Sequence, residues 1–140
     1  MQIDSSTDFT ALALIDPILQ AVKDEGYTVP SPVQAAAIPI VMDGSDLIAT
    51  AKTGTGKTAA FAIPMLQLLH ESGVPGDALR GLILTPTREL ALQIHESLQT
   101  YGRHLKLTHA VIVGGVSAGP QIQALRRRPD ILVATPGRLL

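Results

Sequence analysis

The sequence predicts an α/β domain built on a doubly wound parallel sheet, and three observations carry that prediction. Four short apolar runs recur along the chain: Leu47-Ile48-Ala49, Leu82-Ile83-Leu84, Ala110-Val111-Ile112-Val113 and Ile131-Leu132-Val133. None of them alternates with polar residues, which is the pattern of strands covered by helices on both faces. Helix-like segments separate the runs, at Arg88 to about Tyr101 and Gly119 to about Arg127, and alternating strand and helix build parallel sheets. The third observation is the eight-residue loop Ala51-Lys52-Thr53-Gly54-Thr55-Gly56-Lys57-Thr58, set between the first apolar run and the alanine-rich segment Ala59–Leu69.

Composition narrows the class. At 140 residues the chain is one domain or part of one, with room for a real core. The absence of cysteine excludes disulfides and zinc–thiolate sites and fits a reducing cytoplasm. The polar, acidic start Met1–Ser6 is unlike a signal peptide, and no apolar run has the length a bilayer crossing needs. Net charge is −1, but it is unevenly spread. Through residue 46 a single lysine faces seven carboxylates, a balance of −6; beyond it ten basic side chains face five acidic ones, a balance of +5. An acidic flank beside a mildly basic working surface is the reading that follows.

Taken in order, Asp16-Pro17 reads as the cap and first position of a helix that runs to about Glu25 and stops at Gly26. Ser31-Pro32 opens a second helix, with Gln34 in the third position of an S-x-x-Q capping box. The glycine loop follows. Gly54 and Gly56 permit the positive-φ turns that point backbone N–H groups inward, and the helix starting near Lys57 adds unpaired N–H groups and the positive end of its dipole. A loop of this kind cradles phosphates: Lys57 reaches the β- and γ-phosphates and the Thr58 hydroxyl ligates Mg²⁺. Pro64 falls well inside the following helix and is expected to kink or interrupt it. Ser72–Asp77 reads as a surface turn.

In an open parallel sheet, ligands bind beyond the carboxyl ends of the strands. The residues after the second and fourth runs are Thr85-Pro86-Thr87-Arg88 and Thr135-Pro136-Gly137-Arg138, and after the third come Gly114-Gly115. Small residues, helix-starting N–H groups and arginine suit phosphate oxygens. Taken singly, Thr87 is also a plausible helix cap and Gly137 a plausible turn residue. His70, His95, His104 and His109 include no i, i+4 pair and have no cysteine to join them, so surface or packing roles are expected rather than metal ligation.

These residues resemble, in order and over about Phe9 to Leu139, the motifs of the DEAD-box RNA helicases. Ala51–Thr58 matches that family's phosphate loop, whose first position here is Ala51 rather than glycine. Gly26-Tyr27 with Pro30–Gln34, and Phe9 seventeen residues upstream, match its Q motif. Pro86–Ala91 matches motif Ia, Gly114-Gly115 the glycine doublet, Gln123 and Arg126 the Q-x-x-R element, and Thr135-Pro136-Gly137-Arg138 motif Ib. The resemblance implies a RecA-like P-loop domain, partial in this chain, with a Q-motif region at residues 8–36 and a phosphate-loop α/β part at 46–140. It implies ATP and Mg²⁺ as cofactors, with Phe9, Tyr27 and Gln34 selecting adenine. It implies RNA as partner, gripped through its backbone by the residues of the later motifs. An amide carries the donor–acceptor pair that adenine N6 and N7 require. Only Phe9, Tyr27, Phe61 and Tyr101 are aromatic, too few for base-by-base stacking, so sequence-tolerant, salt-sensitive binding is expected.

No apolar run is followed by Asp or Glu, whereas phosphoryl transfer needs an acid for Mg²⁺ and a group to orient water. The family's Asp-Glu-Ala-Asp motif would lie downstream of Arg138, and its second RecA-like domain beyond that. The chain is therefore expected to bind nucleotide and RNA without appreciable turnover, and to present an unpaired strand edge. Two other classes remain open from the residues: a P-loop kinase or other small-molecule NTPase, which leaves the Thr-Pro loops unexplained, and a non-catalytic binding module.

Overall fold

Local signals set most of the helices in the computed structural model, which describes residues 8–73 and 79–140; the start at Met1–Ser6 lies outside them, as do residues 74–77 of the turn expected at Ser72–Asp77. A 3-10 turn at Phe9–Leu12 begins at Asp8, whose side chain accepts the Thr10 N–H at 2.9 Å. Helix α1, Asp16–Asp24, is followed by Gly26 at φ +80°, the stop expected there. Its cap is Ile15 rather than Asp16. The segment ahead of it is held by tertiary contacts: the buried amide of Gln67 accepts the Ile15 N–H at 3.0 Å and donates to the Ala13 carbonyl at 3.1 Å.

Helix α2, Pro32–Met42, starts with the full capping box, Ser31 and Gln34 serving each other's backbone. Helix α3 spans Lys57–Glu71 continuously, so of the kink or interruption expected at Pro64 the interruption does not occur. Pro64 is fully buried, and Ile63 and Leu66 beside it are also removed from solvent. Packing on both flanks thus outweighs the hydrogen bond that proline cannot make. Helix α4, Arg88–Tyr101, is capped by the Thr87 hydroxyl, which accepts the Leu90 N–H at 3.2 Å. Helices α5, Ala118–Arg126, and α6, Pro136–Leu139, complete the set.

Three strands form one parallel sheet: β1 Gly81–Leu84, β2 His109–Ile112 and β3 Ile131–Ala134, in the order β1-β3-β2. Ile83, Ile131 and Val133 face α3 and α4, meeting Ile63, Leu66, Ile94 and Leu98 in the main core. Residues one step along the strands face the other way; Ala110, Ile112, Leu132 and Ala134 pack there against Ala124 of α5. The sheet is doubly wound, as predicted.

Two expectations need correction. Leu47-Ile48-Ala49 is not a strand, and Ile48 is 96% exposed. A strand exists only where a neighbour takes its N–H and C=O groups; among the described residues none lies beside this run, and apolar character alone does not replace one. Cover on both faces also fails at β1, where Leu82 and Leu84 are about half exposed. Helix α5 reaches only the β2–β3 part of that face.

The leading ends of the strands are tied by one carboxylate. Asp130, fully buried, meets Arg80 Nη2 at 3.1 Å and accepts the Thr108 N–H at 2.9 Å. These residues sit just ahead of β3, β1 and β2 respectively.

His95 of α4 and His109 of β2, far apart in sequence, meet edge to face with their Nδ1 atoms 3.1 Å apart. Burial first, and the charge of His95 second, push His109 down to about 4, and burial lowers His95 as well. The unfolded chain therefore binds a proton between about pH 6.5 and 4 that the folded chain refuses. Stability is complete above about pH 6.5 and falls as pH drops towards 4. The full shift would amount to about 3 kcal/mol; with the ring only partly buried, about 1–2 kcal/mol is expected after solvent screening. Urea midpoints at pH 7 and 4.5 measure it, and His109→Gln should flatten the decline.

Candidate functional site

Because Leu84, Ala134 and Ile112 share one level of the parallel register, the three strands end together. The ladder continues one residue further, from the Thr85 N–H to the Ala134 carbonyl at 3.0 Å and from the Thr135 N–H to the Ile112 carbonyl at 3.1 Å. The loops that follow must converge. Pro86, Arg88, Gly114, Thr135, Pro136, Gly137 and Arg138 line one open cleft of about 510 Å³. Its lining holds two arginines and no carboxylate. Arg138 donates to the Val116 carbonyl at 3.0 Å, tying the loop after β3 to the loop after β2. Arg88 lies against Gly115, whose φ is +79°. Thr87 is absent from the lining and spends its hydroxyl on the α4 cap.

Gln123 and Arg126 lie exposed on α5 and do not line the cleft. The glutamine that reaches the site is Gln121, which donates through Nε2 to the Val113 carbonyl at 3.0 Å, next to the glycine doublet. Sequence spacing offered two glutamines on one helix. Only the docking of α5 on β2 decides which of them meets the strand end.

The glycine loop at the start of α3 contributes no residue to the lining of this cleft. Gly54 and Gly56 both have φ +83°, a region that L-residues other than glycine rarely enter. The Thr55 hydroxyl donates to the Lys52 carbonyl at 2.5 Å, closing the turn over Thr53 and Gly54. Ala51 is half-buried. Gly56 caps α3 with no side chain, so the N–H groups of Lys57 and Thr58 keep no capping partner. Lys57 is exposed and forms no ion pair among the described residues. Unpaired N–H groups, a helix dipole and a free cation at one point make an anion site. The donor set fits a polyphosphate.

Gln34 joins α2 to this loop. Its Oε1 accepts the Ser31 N–H at 3.0 Å, and its Nε2 donates to the Gly56 carbonyl at 3.2 Å. A Cβ on Gly56 would overlap that amide nitrogen. Phe9 and Tyr27 line a separate surface cavity of about 520 Å³, together with Asp16, Lys23 and Thr28. Tyr27 is half exposed, whereas Phe9 is 5% exposed and packs in the main core. Its backbone N–H donates to the Thr28 carbonyl at 3.2 Å, bracing the segment that carries Tyr27.

With this geometry in view, comparisons with known proteins are informative. The model of the DEAD/DEAH box helicase family matches residues 31–140. The chain is 49% identical to an ATP-dependent rRNA helicase rrp3 of Emericella nidulans over 94% of its own length and 28% of the relative's. It is 48% identical to an ATP-dependent RNA helicase DRS1 of Meyerozyma guilliermondii, over 96% of this chain and 19% of that one. The chain thus spans less than a third of the curated relatives it matches. Among solved structures, a DEAD box protein from the hyperthermophile Methanococcus jannaschii superposes with a TM-score of 0.86 at 40% identity, over 95% of this chain and 36% of that one. A hypothetical ATP-dependent RNA helicase from Sulfolobus tokodaii gives 0.80 at 38% identity, over 90% and 35%. A family model that covers residues 31–140 and relatives at 48–49% identity settle the lineage: the chain is a member of the DEAD/DEAH box helicase family.

Proposed function

We propose that this chain is the ATP- and RNA-backbone-binding part of an ATP-dependent RNA helicase, working in the cytoplasm. The observation that carries the reading is the convergence of three strand-end loops on one cleft containing Arg88 and Arg138 and no carboxylate. Phosphate oxygens are the chemistry such a lining selects. Pro86, Gly114, Thr135, Pro136 and Gly137 let an RNA backbone approach closely, Arg88 and Arg138 supply charge, and Thr87 orients α4 beneath it. Arg126 and Gln123 extend the surface along α5.

At the phosphate loop, Lys52–Gly56 wrap the triphosphate with backbone N–H groups while Lys57 neutralises its terminal phosphates. Thr58 holds Mg²⁺, which when bound offsets the charge of the phosphate oxygens. Gln34 selects adenine without leaving its present contacts. Its Nε2 has a second hydrogen and its Oε1 a second lone pair, one each for adenine N7 and N6. Tyr27 offers a stacking face, and buried Phe9 fixes its position. Phosphoryl transfer calls for an acid on Mg²⁺ and a group that orients water as well as this loop, so binding without appreciable hydrolysis is expected of the 140-residue chain. A second RecA-like domain would complete the site in the intact enzyme.

Titration with ATP and GTP tests the adenine contact. Gln34→Glu preserves the capping box, in which Glu serves as well as Gln, but loses the Nε2 donor. The ATP-over-GTP preference should fall by about 1–3 kcal/mol; because Nε2 also donates to the Gly56 carbonyl, the melting temperature falls too, and the ratio of the two affinities rather than either one alone reads the adenine contact. An unchanged preference would return Gln34 to capping alone.

A further inference from the structure

The guanidinium of Arg88 lies face-on to the backbone of Gly115. A Cβ built on Gly115 would sit 2.8 Å from Nη1 and 2.9 Å from both Cζ and Nη2. Three near-equal distances place the missing carbon over the plane of the group, so the empty space above Gly115 is the seat in which the guanidinium lies flat. A flat guanidinium directs its N–H donors outward along its edge, the arrangement that takes two phosphate oxygens together. The turn that provides the seat is itself held on both sides. Gln121 donates to Val113 before it and Arg138 to Val116 after it, each at 3.0 Å.

We infer that Gly115 is a positioning residue: it serves RNA binding by seating Arg88 against the doublet turn, not by touching RNA itself. The inference rests on the RNA reading of the cleft given above. The guanidinium is the end of a flexible side chain, so a carbon at position 115 displaces Arg88 and leaves the sheet in place. The ligand class is a ribose-phosphate backbone offering adjacent oxygens, whatever its bases.

A double-mutant cycle on the chain tests this, with anisotropy of a labelled oligouridylate as the probe at several salt concentrations. Arg88→Ala should weaken binding about tenfold, in line with one lost charge-assisted contact, and reduce the slope of log affinity against log salt by about 0.7. Gly115→Ala should reproduce both changes, and in the Arg88→Ala background it should add nothing. Gly115→Asn repeats the cycle with a residue that accepts positive φ, separating crowding from backbone strain. If Gly115→Ala and Gly115→Asn weaken binding equally in the presence and absence of Arg88, the glycine acts on its own and the inference is overturned. A wild-type chain that ignores the oligonucleotide would overturn the RNA reading and this inference together, whereas additive losses leave that reading standing.

Discussion

Asp130→Ala is expected to lower the stability of the domain by about 3–5 kcal/mol, the cost of stripping one partner from a buried ion pair. Asp130 is fully buried and serves two strands besides its own: Arg80 ahead of β1 at 3.1 Å and the Thr108 N–H ahead of β2 at 2.9 Å. Alanine would leave a largely enclosed guanidinium without its carboxylate and a backbone donor without an acceptor. Among the described residues Arg80 can fall back on the Leu69 carbonyl at 2.8 Å and the Ser72 hydroxyl. Domains of this size are stable by about 5–15 kcal/mol, so much of the folded population is at risk. Urea unfolding of wild type, Asp130→Ala and Asp130→Asn measures the loss. Asparagine keeps an acceptor for Thr108 and should fall between the other two. A loss below about 1 kcal/mol for alanine would mean that the three strands are not gathered by this side chain.

Gly56→Ala should reduce nucleotide affinity by about 2–4 kcal/mol, on the order of thirtyfold to several hundredfold. Two effects combine at this residue. Its φ of +83° penalises any L side chain by about 1–2 kcal/mol, and a Cβ would collide with the Gln34 amide. Gln34 must then move, taking with it the proposed adenine contact, or the start of α3 must shift away from the phosphates. Gly54 provides the control. It has the same φ, but a Cβ there meets nothing within 4 Å, so Gly54→Ala carries the strain without the collision. Calorimetric titration with ATP should rank Gly56→Ala well below Gly54→Ala, with oligouridylate binding at the separate cleft little changed in either. Equal losses in the two variants would show that Gln34 does not couple to the loop.

Much of this site could be read from the residues because the signals are local. Ser31-Pro32 with Gln34 contains its own cap, Thr87 its own hydrogen bond to Leu90, and Gly26, Gly54 and Gly56 their own backbone conformations. The boundaries of α4 were evident for that reason, as was the anion site at the start of α3. The apolar runs after residue 80 form strands because each finds a neighbour. The run at 47–49, chemically similar, does not, and nothing within it could have said so.

What the sequence determined unaided is therefore the set of helices, turns and the positive-φ glycine loop ahead of α3, each governed by atoms a few residues apart. What only the tertiary structure decided is which partners meet over long separations. It set Gln67 against the segment ahead of α1, and chose Gln121 over Gln123 to reach the strand end. It buried Phe9, brought His95 to His109, and laid Arg88 flat on Gly115. The physical reason is that caps and turns are satisfied within one stretch of backbone, whereas strand pairing, burial and side-chain seating need surfaces that exist only after the helices have docked.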